Sequence, residues 1–280
     1  MWNKIVTWWN NTVRDRPYSP GRQIDHYRIM KVLGMGSYGI AYLALNLKSH
    51  TQVVLKQVKP SLRHSPKGEA MQDYEQKVLS ALSHPQIPRW LHSFTYRQDS
   101  FLVMTYIEGP TLEEALFDQM IKIDERSAAR LMKKIGEIVS HLHEHRLIHR
   151  DVRIPNVIWR DDEPYLIDFG LARFLGDSPT YAAETLSAYH SEKQLKREVA
   201  PSSDLFALGH FFLFLLYSDF IPSEEDPERS WEQELSLSPA VHGMIRRLLQ
   251  LDAPYPSVES FLMDLDEFLN EPSHTSTQLV

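Results

Sequence analysis

The 280-residue sequence contains no cysteine, which excludes a disulfide framework and thiolate metal sites and permits a reducing compartment without requiring one. No apolar run is long enough to cross a bilayer. The longest, Leu205 to Tyr217, has His210 inside it and falls well short of the roughly 20 residues a spanning helix needs. It reads as a buried helix. The plan of a signal peptide is missing as well, because Asn3, Asn10 and Asn11 interrupt any apolar segment near the start. A cytoplasmic location is therefore expected. Basic residues are not in excess, and a formal net charge of −7 gives no sign of affinity for nucleic-acid phosphates. Internal repeats are lacking too. What is present is a 42% hydrophobic chain, enough to bury the core of one two-lobed domain or two small ones.

Trp2, Ile5, Val6, Trp9 and Val13 fall on one helical stripe before Pro17, Pro20 and Gly21 break the pattern, so residues 1–26 read as an extension carrying a short amphipathic helix. Its tryptophans could sit at a membrane interface, yet Lys4 is the only basic residue before Arg14, and packing against the body of the protein is the preferred reading. From Tyr27 onward, Tyr27–Val32, Ala41–Asn46, Gln52–Val58, His92–Arg97 and Phe101–Tyr106 have strand character, the last two flanking the polar pair Asp99 and Ser100. These predict a five-stranded antiparallel meander. Met71, Tyr74, Val78 and Leu82 mark a helix within it over Lys67–Leu82. After Gly109 the pattern becomes helical, with Asp124 capping a long helix that buries Ala128, Leu131, Ile135, Ile138, Val139 and Leu142. A small β-rich lobe followed by a larger helical one is an α+β arrangement, expected to bind a ligand between its parts. Residues 271–280 are polar, without periodicity, and predict a disordered tail.

Gly34, Gly36 and Gly39 lie between the first two strands, where backbone amides can approach phosphate oxygens. Three glycines alone do not separate nucleotide binding from an ordinary hairpin. Lys56 sits in an apolar strand, where a buried ammonium needs a partner, and Glu75 on the following helix can supply it. An exposed lysine and a solvated glutamate remain the alternative. The specific signal is His149-Arg150-Asp151-Val152-Arg153-Ile154-Pro155-Asn156 followed by Asp168-Phe169-Gly170.

With these motifs the chain resembles the eukaryotic-like (Hanks-type) serine/threonine protein kinases, in the manner of a compact bacterial member. The resemblance implies a two-lobed kinase domain over 27–270, with a small lobe 27–107 and a large lobe 108–270. It implies ATP and Mg2+ as cofactors and protein substrates, including self-phosphorylation in trans. Asp151 would orient the acceptor hydroxyl and take its proton. Asn156 and Asp168 would hold the metal, and Lys56, paired with Glu75, would hold the α- and β-phosphates. Gly34, Gly36 and Gly39 would cover the phosphates. Arg153 stands where a lysine is usual and keeps the charge with a different geometry. Met104 would be the gatekeeper, Thr105 to Ile107 the hinge for adenine, and Ile158 the floor of its pocket. At the roof Ala41 replaces the usual valine and Val54 the usual alanine, a swap that conserves volume.

Departures concern the substrate-docking floor. His190-Ser191-Glu192 stands in place of A-P-E, and Tyr255 replaces the arginine that would pair with the glutamate, leaving Arg246 or Arg247 as alternatives for Glu192. Thr185 matches the serine/threonine docking threonine. Arg150 would pair with a phosphate on Ser178, Thr180, Tyr181, Thr185 or Ser187. His141, His143, His145 and His149 crowd together without sharing one helical face, which argues against a metal site. Asp161 and Asp162 read as solvated residues of a hairpin turn. Two other readings stay open: a catalytically silent interaction module on this fold, and a small-molecule phosphotransferase. Arg150 and Phe169-Gly170 argue against the second.

Overall fold

The computed structural model describes residues 15–63, 65–118, 123–177, 195, 198–218 and 229–271. The tryptophan stripe, Ser178 through Glu192 and the predicted tail after Glu271 lie outside them. The chain divides into two compact units that meet at Glu108 and Gly109.

The first unit holds β1 (Gln23–Ile24), β2 (Tyr27–Met35), β3 (Gly39–Asn46), β4 (Gln52–Val58), α1 (Pro66–Ala81), β5 (Trp90–Tyr96) and β6 (Asp99–Thr105). The five predicted strands are present, and a two-residue strand joins them at one edge. All pairs are antiparallel, in the order β1-β2-β3-β4-β6-β5. Because β6 inserts between β4 and β5, the chain does not run as a simple meander. Alternation along each strand sends Ile29, Tyr42, Leu55, Phe101 and Val103 into one core. The turn before β6 falls at Arg97 and Gln98, with Arg97 at φ 58°, so Asp99 and Ser100 lie in the strand and not in the turn the sequence predicted. Asp99 is 4% exposed, and its carboxylate takes hydrogen bonds from Tyr18 and Arg63, which offset its burial. Residues 15–26, read from sequence as an appendage, are part of this packing: Ile24 is fully buried and Tyr18 lies against the core.

The second unit contains α2 (Leu112–Asp118), α3 (Glu125–Glu144), β7 (Leu147–Ile148), β8 (Val157–Arg160), β9 (Glu163–Leu166), β10 (Arg173–Phe174), α4 (Pro201–Tyr217), α5 (Trp231–Glu234), α6 (Pro239–Leu248) and α7 (Val258–Asn270). Asp124 caps α3 as predicted, its carboxylate accepting from the Ser127 N–H at 2.7 Å. The apolar stripe of α3 is buried. Helix α4 is apolar on nearly every side, as expected of a helix enclosed by others, and it carries the fully buried Asp204. Among the described residues, no helix is long and apolar enough to cross a membrane.

Candidate active site

In the first unit the side chains singled out from sequence share one sheet face. Cross-strand partners are Ala41 with Lys56, Leu43 with Val54, Val54 with Met104, and Lys56 with Leu102. Directly opposed residues point to the same side and positions alternate along a strand. Ala41, Val54, Lys56 and Met104 therefore lie on the face turned away from the Tyr42 and Leu55 core. Ala41 and Val54 are diagonal neighbours there, the placement that a volume-conserving swap requires.

Lys56 reaches α1, where its Nζ lies 2.7 Å from Oε1 of Glu75, and the glutamate side chain is only 5% exposed. The helix is held over the strand by Gln72, whose amide donates to the Lys56 carbonyl at 3.2 Å and accepts from the Ser100 hydroxyl at 2.6 Å. At Gly39 a Cβ would come 3.0 Å from the Gln57 carbonyl and 3.5 Å from the Lys56 side chain, so a larger residue would press on the strand that carries the lysine. Gly34 has open space where its Cβ would be. Leu33 beside it is 41% exposed, an apolar side chain next to the glycines that sequence reasoning passed over. Its signal was a leucine immediately before the first glycine. At the end of β6 the Thr105 N–H is already given to the Arg89 carbonyl at 2.9 Å, so its amide is spent within the unit. Ile107 follows beyond the strand.

In the second unit the loop after β7 is held from below by Asp204. This carboxylate accepts from the N–H of His149 at 2.8 Å, the N–H of Arg150 at 2.7 Å and Nε2 of His143 at 3.0 Å. Burial alone would raise its pKa, but the bond from His143 and the neighbouring donors hold it below the usual carboxylate range. His149 is fully buried with its ring edge-on to Phe169 at 4.8 Å, and burial keeps it below the ordinary histidine pKa. Arg150 has φ 65° and Asp168 φ 63°, left-handed conformations uncommon for residues other than glycine. The Asp204 contact helps to hold the first of these.

Asp151 is thereby presented with defined partners. Asn156 donates to its Oδ2 at 2.7 Å and to its carbonyl at 2.9 Å, and Nε of Arg153 lies 3.3 Å from Oδ2. Burial raises the Asp151 pKa, an effect that Arg153 and Asn156 only partly oppose. The hairpin of β8 and β9 turns at Asp161 and Asp162, φ 54° and 58°, the two-residue geometry expected of a tight hairpin. Val157 pairs with Leu166, and the Ile167 N–H bonds the Asn156 carbonyl at 2.9 Å. The open end of the hairpin therefore brings Asn156 and the segment leading into Asp168 together. Two side-chain oxygen donors at such a place suit a hard cation such as Mg2+. Ile158, on the same hairpin and 8% exposed, bridges to Thr111, the residue before α2.

The protein kinase domain family matches residues 27–274. The chain belongs to the protein kinase family. A Bacillus subtilis relative, named probable serine/threonine-protein kinase YbdM, is 34% identical over 253 residues, covering 90% of this chain and 93% of its own. Serine/threonine-protein kinase D of Synechocystis is 25% identical over 272 residues, covering 88% of this chain, which spans 53% of that relative's length. These relatives place the chain on the serine/threonine side of the kinase family. The PknI kinase domain of Mycobacterium tuberculosis shares the fold, with a TM-score of 0.66 at 19% identity over 90% of this chain and 99% of that one.

Within this kinase the residues of the crowded histidine run go separate ways. His143 bonds Asp204, His145 bonds the His141 carbonyl, and His149 is buried under the loop. Glu192 lies outside the described residues, and the two arginines considered as its partners have these contacts within them. Arg246 makes a two-pronged pair with Asp252 at 2.8 and 3.0 Å, and Arg247 bonds Asp264 at 2.7 Å while lying 3.7 Å over the Tyr255 ring. Tyr255, in the place of the usual arginine, is buried and donates its hydroxyl to Asp264. Sequence reasoning read Leu205 to Tyr217 as a buried helix and gave no supporting role to Asp204, the residue before it. Its signal was a carboxylate opening an otherwise apolar helix.

Proposed function

We propose that this kinase transfers the γ-phosphoryl group of ATP to serine and threonine hydroxyls of proteins in the cytoplasm, its own activation segment included, with residues 27–270 as the catalytic domain. The observation that carries this reading is the environment of Asp151. It is a carboxylate of raised pKa, oriented by Asn156 and Arg153 on a loop pinned by Asp204. In the transfer the acceptor hydroxyl loses its proton to Asp151, its oxygen bonds the γ-phosphorus, and the bond from that phosphorus to the β-γ bridging oxygen breaks to release ADP. Arg153, with its side chain 60% exposed, is available to neutralise charge on the moving group. Lys56, fixed by Glu75, would hold the α- and β-phosphates beneath Gly34, Gly36 and Gly39. Ala41, Val54 and Met104 offer adenine an apolar face, the Ile107 N–H offers it a donor, and Ile158 is the residue of the second unit assigned to adenine. Asn156 and Asp168 would hold Mg2+, which when bound supplies charge neutralisation on the phosphates.

The test is transfer of labelled γ-phosphate to the purified protein and to a basic acceptor, beside an Asp151→Asn variant, with phosphosite mapping. Label on serine or threonine in the native protein, reduced at least about 10³-fold in the variant, is expected. ATP binding without transfer by the native protein would replace this reading with that of a silent interaction module.

A further inference from the structure

The region matched by the kinase family begins at residue 27, yet residues before it grip the machinery just described. Asp15 is 7% exposed, and its carboxylate accepts both the N–H of Ser61 at 2.8 Å and the Ser61 hydroxyl at 2.9 Å, with the Lys59 ammonium at 4.0 Å. Ser61 is the centre of the 3-10 turn Pro60–Leu62, which follows the Lys56 strand and precedes α1. On one side of that turn the Lys59 N–H donates to the Tyr38 carbonyl at 3.0 Å, within the glycine-rich connection of β2 and β3. On the other side the turn abuts Gly68 of α1, where a Cβ would lie 2.7 Å from a Val58 methyl and 2.8 Å from the Leu62 carbonyl. Gly68 and Glu75 are seven residues apart on one helix and so share a face. A shift of the turn is therefore transmitted to the helix that carries Glu75.

A second tether grips the same turn. The Tyr18 hydroxyl donates to Oδ2 of Asp99 at 2.6 Å, while Arg63, directly after the turn, donates to Oδ1 of Asp99 at 2.6 and 3.1 Å. The Tyr18 N–H donates to the Tyr42 hydroxyl at 3.1 Å, which in turn donates to Gln57, next to Lys56, at 2.7 Å. Burial and the bond to Asp99 push the Tyr18 hydroxyl up to about 12, so it stays a donor at neutral pH. We infer that Asp15 and Tyr18 are positioning residues of this kinase: the segment preceding the family domain clamps the Pro60–Leu62 turn and thereby sets the Lys56–Glu75 pair and the glycine-rich connection. Its catalytic consequence rests on the proposed function; its mechanical part does not.

The test uses the full chain with Asp15→Ala, the milder Asp15→Asn, Tyr18→Phe and Ser61→Ala, alone and combined. Asp15→Ala is expected to raise KM for ATP about three- to tenfold, with KM for the protein acceptor unchanged. Ser61→Ala should add little in that background. Amide exchange should quicken across Pro66–Ala81 but not in α3 or α7. Asp15→Asn and Tyr18→Phe should lie between, and they carry the test should Asp15→Ala fail to fold. Unchanged KM for ATP with unchanged exchange in α1 would overturn the clamp, as would exchange rising equally in both units. Should the native protein transfer no phosphate, the functional reading fails while exchange in α1 still decides the clamp.

Discussion

The two units hold their key charges by different means. In the first, Lys56 is held side chain to side chain by Glu75, so its position depends on where α1 lies. In the second, Asp151 sits on a backbone whose amides are pinned by the fully buried Asp204 from within the core. A side-chain pair between a strand and a helix can be remade by moving the helix, whereas a buried carboxylate satisfied by backbone donors cannot shift without losing its partners. The second unit is thus preorganised for chemistry, and the first is adjustable. The clamp formed by Asp15 and Tyr18 acts on the adjustable side.

Breaking the fixed side should have the largest effect. Asp204→Ala leaves two backbone donors and His143 unpartnered beneath the loop, and a loss of about 3–5 kcal/mol in unfolding free energy is expected, measured by denaturant titration, with phosphate transfer lost as well. The adjustable side should separate stability from activity. Lys56→Met removes the ammonium partner of the buried Glu75 and should cost about 1–3 kcal/mol, while the double variant Lys56→Met with Glu75→Gln should regain most of that without regaining transfer. Similar stability of the single and double variants would remove the pair from the comparison.

Acid should distinguish the two carboxylates of the fixed side. In its proposed role Asp151, raised by burial, must be ionised to accept a proton, so transfer should fall as pH drops through a value above the ordinary aspartate range. Asp204, depressed by its donors, contributes stability that is fully present above the unfolded aspartate pKa and is lost as pH falls below that toward its folded value. Activity should therefore disappear at higher pH than the fold, as rates and circular dichroism on one pH series would show. Coincident loss would contradict the different environments assigned to the two groups. The smallest effect is expected at the adenine face. Ala41→Val alone should weaken ATP binding by under about 1.5 kcal/mol, and adding Val54→Ala should restore it, as read by ATP titration.

Much of the second unit's site was legible because its residues are close in sequence. Asp151, Arg153 and Asn156 lie in one loop, and a two-residue turn at Asp161 and Asp162 is enough to return the chain to Asp168. Strand alternation likewise showed Lys56 to be a charge in an apolar strand, and helical periodicity put Glu75 within its reach. Asp99 was misplaced in a turn because local polarity, read alone, predicts exposure, while its partners Tyr18 and Arg63 stand 81 and 36 residues away.

From its own pattern, then, the sequence determined the five main strands of the first unit, the long helices, the kinase motifs and the residue types that could do the chemistry, all of which are set by local spacing. Tertiary structure alone decided which buried carboxylate supports the catalytic loop and which residues before the family domain hold the Lys56–Glu75 pair. These are choices of partner between distant segments. A polar group's need for a partner can be read in one place, but the partner itself is supplied only when packing excludes water and brings one donor rather than another within reach.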